Sequence, residues 1–261
     1  MTTVQLMLGV LSGGLVGLSL GLVGGGGSIL AVPLMVYVVG VTNPHVAIGT
    51  SALAVAANAL IGLAGHARAG HVKWRCASVY AATGVLGAWF GARAGRAVDG
   101  DVLLGLFAVL MLIVAALMLR TRAQTGDADV ALNPANAPRL VAAGSATGLL
   151  SGFVGIGGGF LVVPGLVAST GMPLLLAVGS SLLVVSALGL TTAISYAREG
   201  LVAWPLAAAF ITGGAVGSAI GLQVGRRLAD RKGALNLVMS ALIALVAVYM
   251  LIRSARALGL F

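Results

Sequence analysis

The sequence predicts an all-α polytopic membrane protein built from two homologous halves, which are expected to be inverted repeats with about eight to ten membrane helices in total. Three observations predict this fold. The chain of 261 residues is 59% hydrophobic and only 8% charged, whereas soluble domains have about 25% charged residues. A glycine-rich apolar segment occurs twice, and the only long polar stretch lies between the two copies.

The two halves repeat each other in a nearly constant register. Residues 21–33 read GLVGGGGSILAVP and residues 152–164 read GFVGIGGGFLVVP, an offset of 131 residues. After a one-residue slip the offset is 130, so that AIGTS at 47–51 corresponds to AVGSS at 177–181. Matches that keep one register over such a length indicate an internal duplication.

The repeat divides the chain into a first half (1–120), a polar linker (121–138) and a second half (139–261). Each half contains five apolar segments, and an odd number allows the two halves to have opposite orientations in the membrane. Glycine rows begin at Gly84 and Gly214, in the fourth segment of each half. They are expected to be helix-packing faces, because small residues let membrane helices approach closely.

Basic residues indicate which connections face the cytoplasm, because such connections carry an excess of Lys and Arg. In the first half the basic connection follows the third apolar segment and contains Arg68, Lys73 and Arg75. In the second half the strongly basic connection is the next one, residues 226–232. The basic connection therefore follows the third segment in the first half and the fourth segment in the second. This difference predicts inverted halves, a cytoplasmic linker and both chain ends outside.

Composition also limits the partners. The net charge is +9, but the basic residues are scattered over short connections, which is typical of membrane anchoring and not of nucleic-acid binding. The expected partners are the lipid bilayer and a small anionic substrate. The three histidines have no metal-ligand spacing, and neither a metal nor a cofactor is expected.

The apolar stretches that follow the glycine runs have about 13 residues, or about 20 Å of helix, against a hydrocarbon core of about 30 Å. They are too short to span it alone, so we expect broken or re-entrant helix pairs with glycine loops at their tips. Helices that begin at such loops direct free backbone N–H groups at a bound anion. The alternative is that the glycines only allow tight helix packing. The substrate-binding candidates in these loops are Gly25, Gly26, Gly27, Ser28, Gly157, Gly158 and Gly159.

Five further polar residues lie inside apolar segments and are candidates for substrate binding: Thr50, Ser51, Asn58, Ser180 and Ser181. Hydroxyl and amide groups donate hydrogen bonds to an anion without adding a buried charge. The alternative for the hydroxyls is a bond to their own helix backbone. Asn58 corresponds to a leucine in the second half, and it is either a clasp between helices or a pocket residue.

The charged residues lie near the ends of the apolar segments. Arg68 and Arg198 occupy equivalent positions after the third segments and are vestibule candidates that would attract an anion. The alternative for both is snorkelling to the membrane interface. All six acidic residues lie in predicted connections or at segment ends. Cation pathways and proton relays normally use a carboxylate within the membrane, so a cation transporter is disfavoured.

The duplicated glycine segments, together with HARAGHVKW at 66–74 and YAREGLVAW at 196–204, resemble the sulfite exporter TauE/SafE family. The resemblance covers nearly the whole chain except the linker. It implies a multi-pass permease of the prokaryotic cytoplasmic (inner) membrane that moves sulfite, organosulfonates or similar small sulfur-containing anions. The expected function is therefore a permease or exporter and not an enzyme. An anion channel of the same architecture and an intramembrane enzyme, for which no nucleophile–base pair is found, are the alternatives.

Overall fold

The computed structural model describes residues 2–120, 127, 130–154, 159–227 and 232–257. The described residues form ten α-helices and no strand, so the predicted all-α fold is confirmed. The helices are α1 (Thr3–Val23), α2 (Ala31–Pro33), α3 (Pro44–Arg68), α4 (Trp74–Arg96), α5 (Gly100–Arg120), α6 (Ala137–Val154), α7 (Gly159–Thr170), α8 (Leu174–Ala197), α9 (Trp204–Arg227) and α10 (Lys232–Ala257).

The predicted interruption after the first helix is present in the first half, and in the second half the equivalent glycine run at 155–158 lies outside the described residues. In the first half the chain forms a 3₁₀ helix (Gly24–Leu30), the short α2 and a π-helical turn (Leu34–Val38). In the second half the equivalent segment is the single helix α7, which has 12 residues. Neither segment is long enough to cross the hydrocarbon core alone, because about 20 helical residues are needed.

Local sequence signals set the ends of the third helix in each half. The Asn43 side chain caps α3 by accepting a hydrogen bond from the backbone N–H of His45 at 2.9 Å, and Pro44 follows in the first turn, where no N–H is needed. Gly70 and Gly200 end α3 and α8 with φ of 73° and 70°. This left-handed conformation favours glycine, and it turns the chain sharply into the next helix.

Four helices in the described part of the chain are long and apolar enough to cross a membrane: α1, α3, α8 and α9. Of these, α3 and α8 are the most buried, so they form the centre of the bundle. The protein is therefore a polytopic membrane protein embedded in the lipid bilayer.

Helices of one half pack mainly against helices of the other. Helix α1 packs along α9, and the equivalent pair is α6 along α4. Helix α3 packs against α8, and α5 packs against α10. Each of these pairs joins the two halves. Exchange of the halves converts the α1–α9 pair into the α6–α4 pair, and it converts the α3–α8 and α5–α10 pairs into themselves. The halves are interlocked and do not form two separate bundles.

The closest helix contacts are backbone to backbone at glycines. A Cβ atom on Gly17 of α1 would overlap the carbonyl group of Gly214 in α9. In the equivalent pair, a Cβ atom on Gly148 of α6 would overlap the carbonyl group of Gly84 in α4. The glycine rows of α4 and α9 are thus packing faces, as small residues at membrane helix contacts generally are.

The contacts between α3 and α8 give the relative direction of the two halves. Gly49, near the start of α3, lies against the carbonyl oxygen of Leu201, just after the end of α8. Gly179, near the start of α8, lies against the carbonyl oxygen of His71, just after the end of α3. Equivalent helices therefore run antiparallel, which is consistent with inverted halves. The division at 121–138 stays a prediction.

The glycine contact between α1 and α9 predicts that two alanine substitutions one turn apart in α1 differ strongly in their effect on stability. Gly17→Ala puts a methyl group into the backbone of Gly214, so it should destabilise the protein by about 1–3 kcal/mol. Gly14→Ala is the control, because its Cβ would find only the carbonyl oxygen of Gly213 at 3.7 Å. Thermal unfolding in detergent should show a lower midpoint for the first variant only. Equal midpoints would show that α1 and α9 do not pack at Gly17.

Candidate functional site

The first glycine loop is folded back onto α1. Gly25, Gly26 and Gly27 belong to the 3₁₀ helix Gly24–Leu30. A Cβ atom on Gly27 would overlap the backbone of the last turns of α1, so only glycine allows this close return. Ser28, the next residue, is fully buried.

The second glycine loop is described only at its end. Gly157 and Gly158 lie outside the described residues, while Gly159 begins α7 and is buried. The 3₁₀ helix Gly24–Leu30 packs against both α7 and α8. The short segments that follow the two glycine runs therefore meet between the halves.

Thr50 and Ser180 make equivalent hydrogen bonds across the two halves. The hydroxyl oxygen of Thr50 accepts a bond from the backbone N–H of Ala203 at 2.9 Å. The hydroxyl oxygen of Ser180 accepts a bond from the backbone N–H of Lys73, also at 2.9 Å. Both hydroxyl residues are fully buried. Each fixes the connection between the third and fourth helices of the opposite half.

Ser51 and Ser181 make the helix-backbone bonds that are the alternative to substrate binding. The hydroxyl of Ser51 donates to the carbonyl oxygen of Ile48 at 3.0 Å. The hydroxyl of Ser181 donates to the carbonyl oxygen of Val178 at 2.7 Å. Such bonds satisfy a buried hydroxyl within its own helix.

The four hydroxyls are not brought together. Because α3 and α8 are antiparallel, Thr50 and Ser51 lie at one end of the helix pair, and Ser180 and Ser181 lie at the other. At 1.5 Å per residue, the two groups are separated by roughly 25 Å along α3. They therefore do not surround one common position between the halves.

Asn58 lies near the middle of α3, and its amide group packs against Gly214 of α9. Its side chain is fully buried. Both amide atoms lack a hydrogen-bond partner among the described residues. The equivalent residue, Leu188, packs against Gly84 at about the same place in the other half. An unpaired buried amide costs about 1–3 kcal/mol.

Three further buried hydroxyls lack a hydrogen-bond partner among the described residues: those of Ser151 in α6 and of Thr192 and Tyr196 in α8. Sequence reasoning missed all three. A serine or threonine hydroxyl in an apolar helix usually bonds to its own backbone, so it gives no signal. Ser151 lies in the last turn of α6, directly before the second glycine loop.

Arg68 and Arg198 are exposed at the ends of α3 and α8. Since these helices are antiparallel, the two arginines lie at opposite faces of the bundle, a placement that fits both the vestibule hypothesis and snorkelling to the membrane interface. In the described part of the chain, no group of three or more His, Cys, Asp or Glu residues could hold a metal ion.

Comparison with known proteins assigns the family. The chain matches the family model described as Sulfite exporter TauE/SafE over residues 9–250. The chain belongs to this family. The resemblance that was noted in the glycine segments is therefore confirmed, and the protein is a membrane transporter of the TauE/SafE family.

Three curated relatives align with this chain over most of both lengths. A "Probable membrane transporter protein" of Xylella fastidiosa is 49% identical over 97% of this chain and 98% of its own length. "Probable membrane transporter protein YdhB" of Bacillus subtilis is 27% identical over 80% of this chain and 86% of its own length. A relative in Methanocaldococcus jannaschii is 24% identical over 93% and 94% of the two chains. No solved structure matches the chain significantly.

The bonds of Thr50 and Ser180 predict a specific loss of stability in this TauE/SafE transporter. Thr50→Val and Ser180→Ala each leave a backbone N–H without its acceptor, so each should destabilise the protein by about 1 kcal/mol or more. Because the two positions are far apart, their effects should add. Ser51→Ala, which removes only a bond within α3, is the control. If all three variants lower the thermal unfolding midpoint equally, the bonds between the halves have no special role in stability.

Proposed function

We propose that this TauE/SafE transporter carries a small sulfur-containing oxyanion, such as sulfite or an organosulfonate, by alternating access to a central site between its two halves. The printed family description names sulfite export. The observation that carries the proposal for this chain is the unpaired amide of Asn58, which is fully buried at mid-helix. In this proposal, the amide nitrogen donates a hydrogen bond to an oxygen atom of the anion.

The distribution of polar groups in the interior supports an anion as the substrate. Besides His45 and Tyr196 at one face, the buried polar atoms of α3, α6 and α8 that lack a partner among the described residues include those of Asn58, Ser151 and Thr192, whose side chains are neutral. The described acidic residues lie outside the middle of every helix, as the start of α5 and the end of α8 illustrate. A site of neutral donors stabilises a singly charged anion more easily than a doubly charged one, because desolvation rises steeply with charge.

The interrupted segments supply backbone donors to the proposed site. The first N–H groups of a helix have no partner within the helix, and the helix dipole is positive at that end. We therefore assign the backbone of Gly25, Gly26, Gly27, Ser28, Gly157, Gly158 and Gly159 to the anion site. Transporters with inverted repeats commonly bind substrate at helix ends of this kind.

The remaining candidates have peripheral roles in this proposal. Thr50 binds the α8–α9 connection and Ser180 binds the α3–α4 connection, and these two connections lie at opposite faces. Ser51 and Ser181 stabilise the beginnings of α3 and α8 through bonds to their own helix backbone. Arg68 and Arg198 attract the anion toward the vestibule on each face. Substrate passes from one vestibule to the central site when the bonds at that face open.

The basic residues support insertion in a cytoplasmic membrane with the α3–α4 connection inside. Connections that face the cytoplasm carry an excess of Lys and Arg. Ten of the fifteen such residues belong to the α3–α4, α5–α6 and α9–α10 connections and adjoining helix ends. They are Arg68, Lys73, Arg75, Arg120, Arg122, Arg139, Arg226, Arg227, Arg231 and Lys232.

The proposal predicts that Asn58→Leu separates stability from transport. Leucine is the equivalent residue in the second half, and it removes an unpaired buried amide. The thermal unfolding midpoint should therefore stay the same or rise, while sulfite flux should fall by about tenfold or more, as expected for a lost hydrogen bond to a charged group.

Flux is measured by counterflow in proteoliposomes. Labelled sulfite should enter faster when unlabelled sulfite is inside, and the rate should saturate. Sulfoacetate and chloride, each tested inside, define the substrate class. Flux of the wild-type protein that is neither saturable nor accelerated would contradict alternating access. Normal counterflow by the Asn58→Leu variant would remove Asn58 from the site.

A further inference from the structure

A second cluster of polar side chains lies at the face that carries the α8–α9 connection. Arg96, at the end of α4, donates a hydrogen bond to the hydroxyl of Ser195 near the end of α8. Its guanidinium carbon lies over the ring of Tyr196, 5.5 Å from the ring centroid. A guanidinium in this position also interacts favourably with the aromatic face. Arg96 thus links the fourth helix of the first half to the third helix of the second.

Two hydrogen-bonding atoms around Tyr196, whose ring Arg96 also contacts, are unused among the described residues. The ring of His45, at the start of α3, lies 6.2 Å from the ring of Tyr196, measured between centroids. The Nδ1 atom of His45 and the hydroxyl oxygen of Tyr196 are both buried and have no hydrogen-bond partner among the described residues. Tyr196 itself is fully buried. Buried polar atoms are normally paired, so these two atoms indicate a ligand.

Arg96 forms a long, solvent-exposed ion pair with Glu199. A carboxylate oxygen of Glu199 lies 4.0 Å from the guanidinium, and the Glu199 side chain is 58% exposed, whereas that of Arg96 is 19% exposed. Ion pairs of this kind contribute little to stability. The equivalent of Glu199 in the first half is Ala69, so the repeat did not require a carboxylate at this position.

We propose that Arg96, His45 and Tyr196 form an outer recognition site for a small oxyanion of the sulfonate or sulfite type, in which the anion replaces Glu199 as the counter-ion of Arg96. The inference rests on the proposed function and adds a second site closer to the surface. A guanidinium presents two parallel N–H groups that fit two oxygens of one oxyanion. His45 and Tyr196 supply hydrogen bonds to the remaining oxygen.

A surface cavity provides access to this cluster. It has a volume of about 430 Å³ and is lined by residues 42–45 and 99–101. His45 forms part of its wall, so the cavity borders the cluster on that side. Two carboxylates, those of Asp99 and Asp101, lie on the other wall. The carboxylate of Asp99 accepts a bond from the backbone N–H of Asp101 at 2.9 Å. It therefore caps α5, and the positive end of that helix offsets part of its charge.

Counterflow in proteoliposomes tests the outer site through the KM for sulfite, with kcat measured separately. Arg96→Gln should raise the KM about tenfold or more, the usual effect of losing a charge-assisted hydrogen bond. Glu199→Gln should lower the KM, because the anion no longer competes with a carboxylate. Arg93→Gln is the matched control, since Arg93 lies one turn earlier in α4, is exposed and stacks on Trp89. It should leave the KM unchanged.

The outcomes separate this inference from the proposed function. If the wild-type protein gives no anion flux, the proposed function fails and the outer site fails with it. If the wild-type protein transports sulfite and Arg96→Gln lowers only the thermal unfolding midpoint, Arg96 is a structural link and the inference is overturned. A higher KM in Glu199→Gln would also overturn it. Arg96→Lys, which keeps the charge and loses the paired N–H groups, should show an intermediate KM.

Discussion

Close backbone contact between α1 and α9, and between α4 and α6, is the constraint on which the rest of the fold depends. Lipid tails are as apolar as leucine side chains, so burial of apolar surface does not drive these helices together. The contacts at Gly17 with Gly214 and at Gly84 with Gly148 provide dense packing instead. Because each pair takes one helix from each half, these contacts also hold α3 and α8 together at the centre.

This interlocked arrangement assigns different tasks to different polar groups. At the two faces, Thr50 and Ser180 bond to the connections of the opposite half, so separation of the halves at one face breaks only the bond at that face. In the interior, the amide of Asn58 packs against Gly214 and has no hydrogen-bond partner among the described residues. The proposed alternating access uses both features: separate bonds at the two faces and a polar group between them that the substrate satisfies.

The sequence was sufficient for the class of fold because composition, glycine runs and a repeat in constant register are local or periodic signals. The packing role of the rows at Gly84 and Gly214 was predictable for the same reason. The partners of the hydroxyls were not, because Thr50 bonds to a residue 153 positions away, and no local pattern specifies such a contact. Arg96 was not singled out as a site residue, although its hydrogen bond reaches Ser195 in α8. Asn58 was singled out by its departure from the repeat, and only the structure shows that its amide has no hydrogen-bond partner among the described residues.

Opposite orientation of the two halves is the central claim, and single-cysteine labelling tests it most directly. In a Cys76→Ser background, Ala69→Cys and Glu199→Cys place one thiol in each of two equivalent connections, where both residues are exposed. A membrane-impermeant maleimide added to intact cells should label Cys at 199 and leave Cys at 69 unlabelled, and inverted vesicles should show the reverse. Labelling of both positions from the same side would contradict inverted halves and require a parallel repeat.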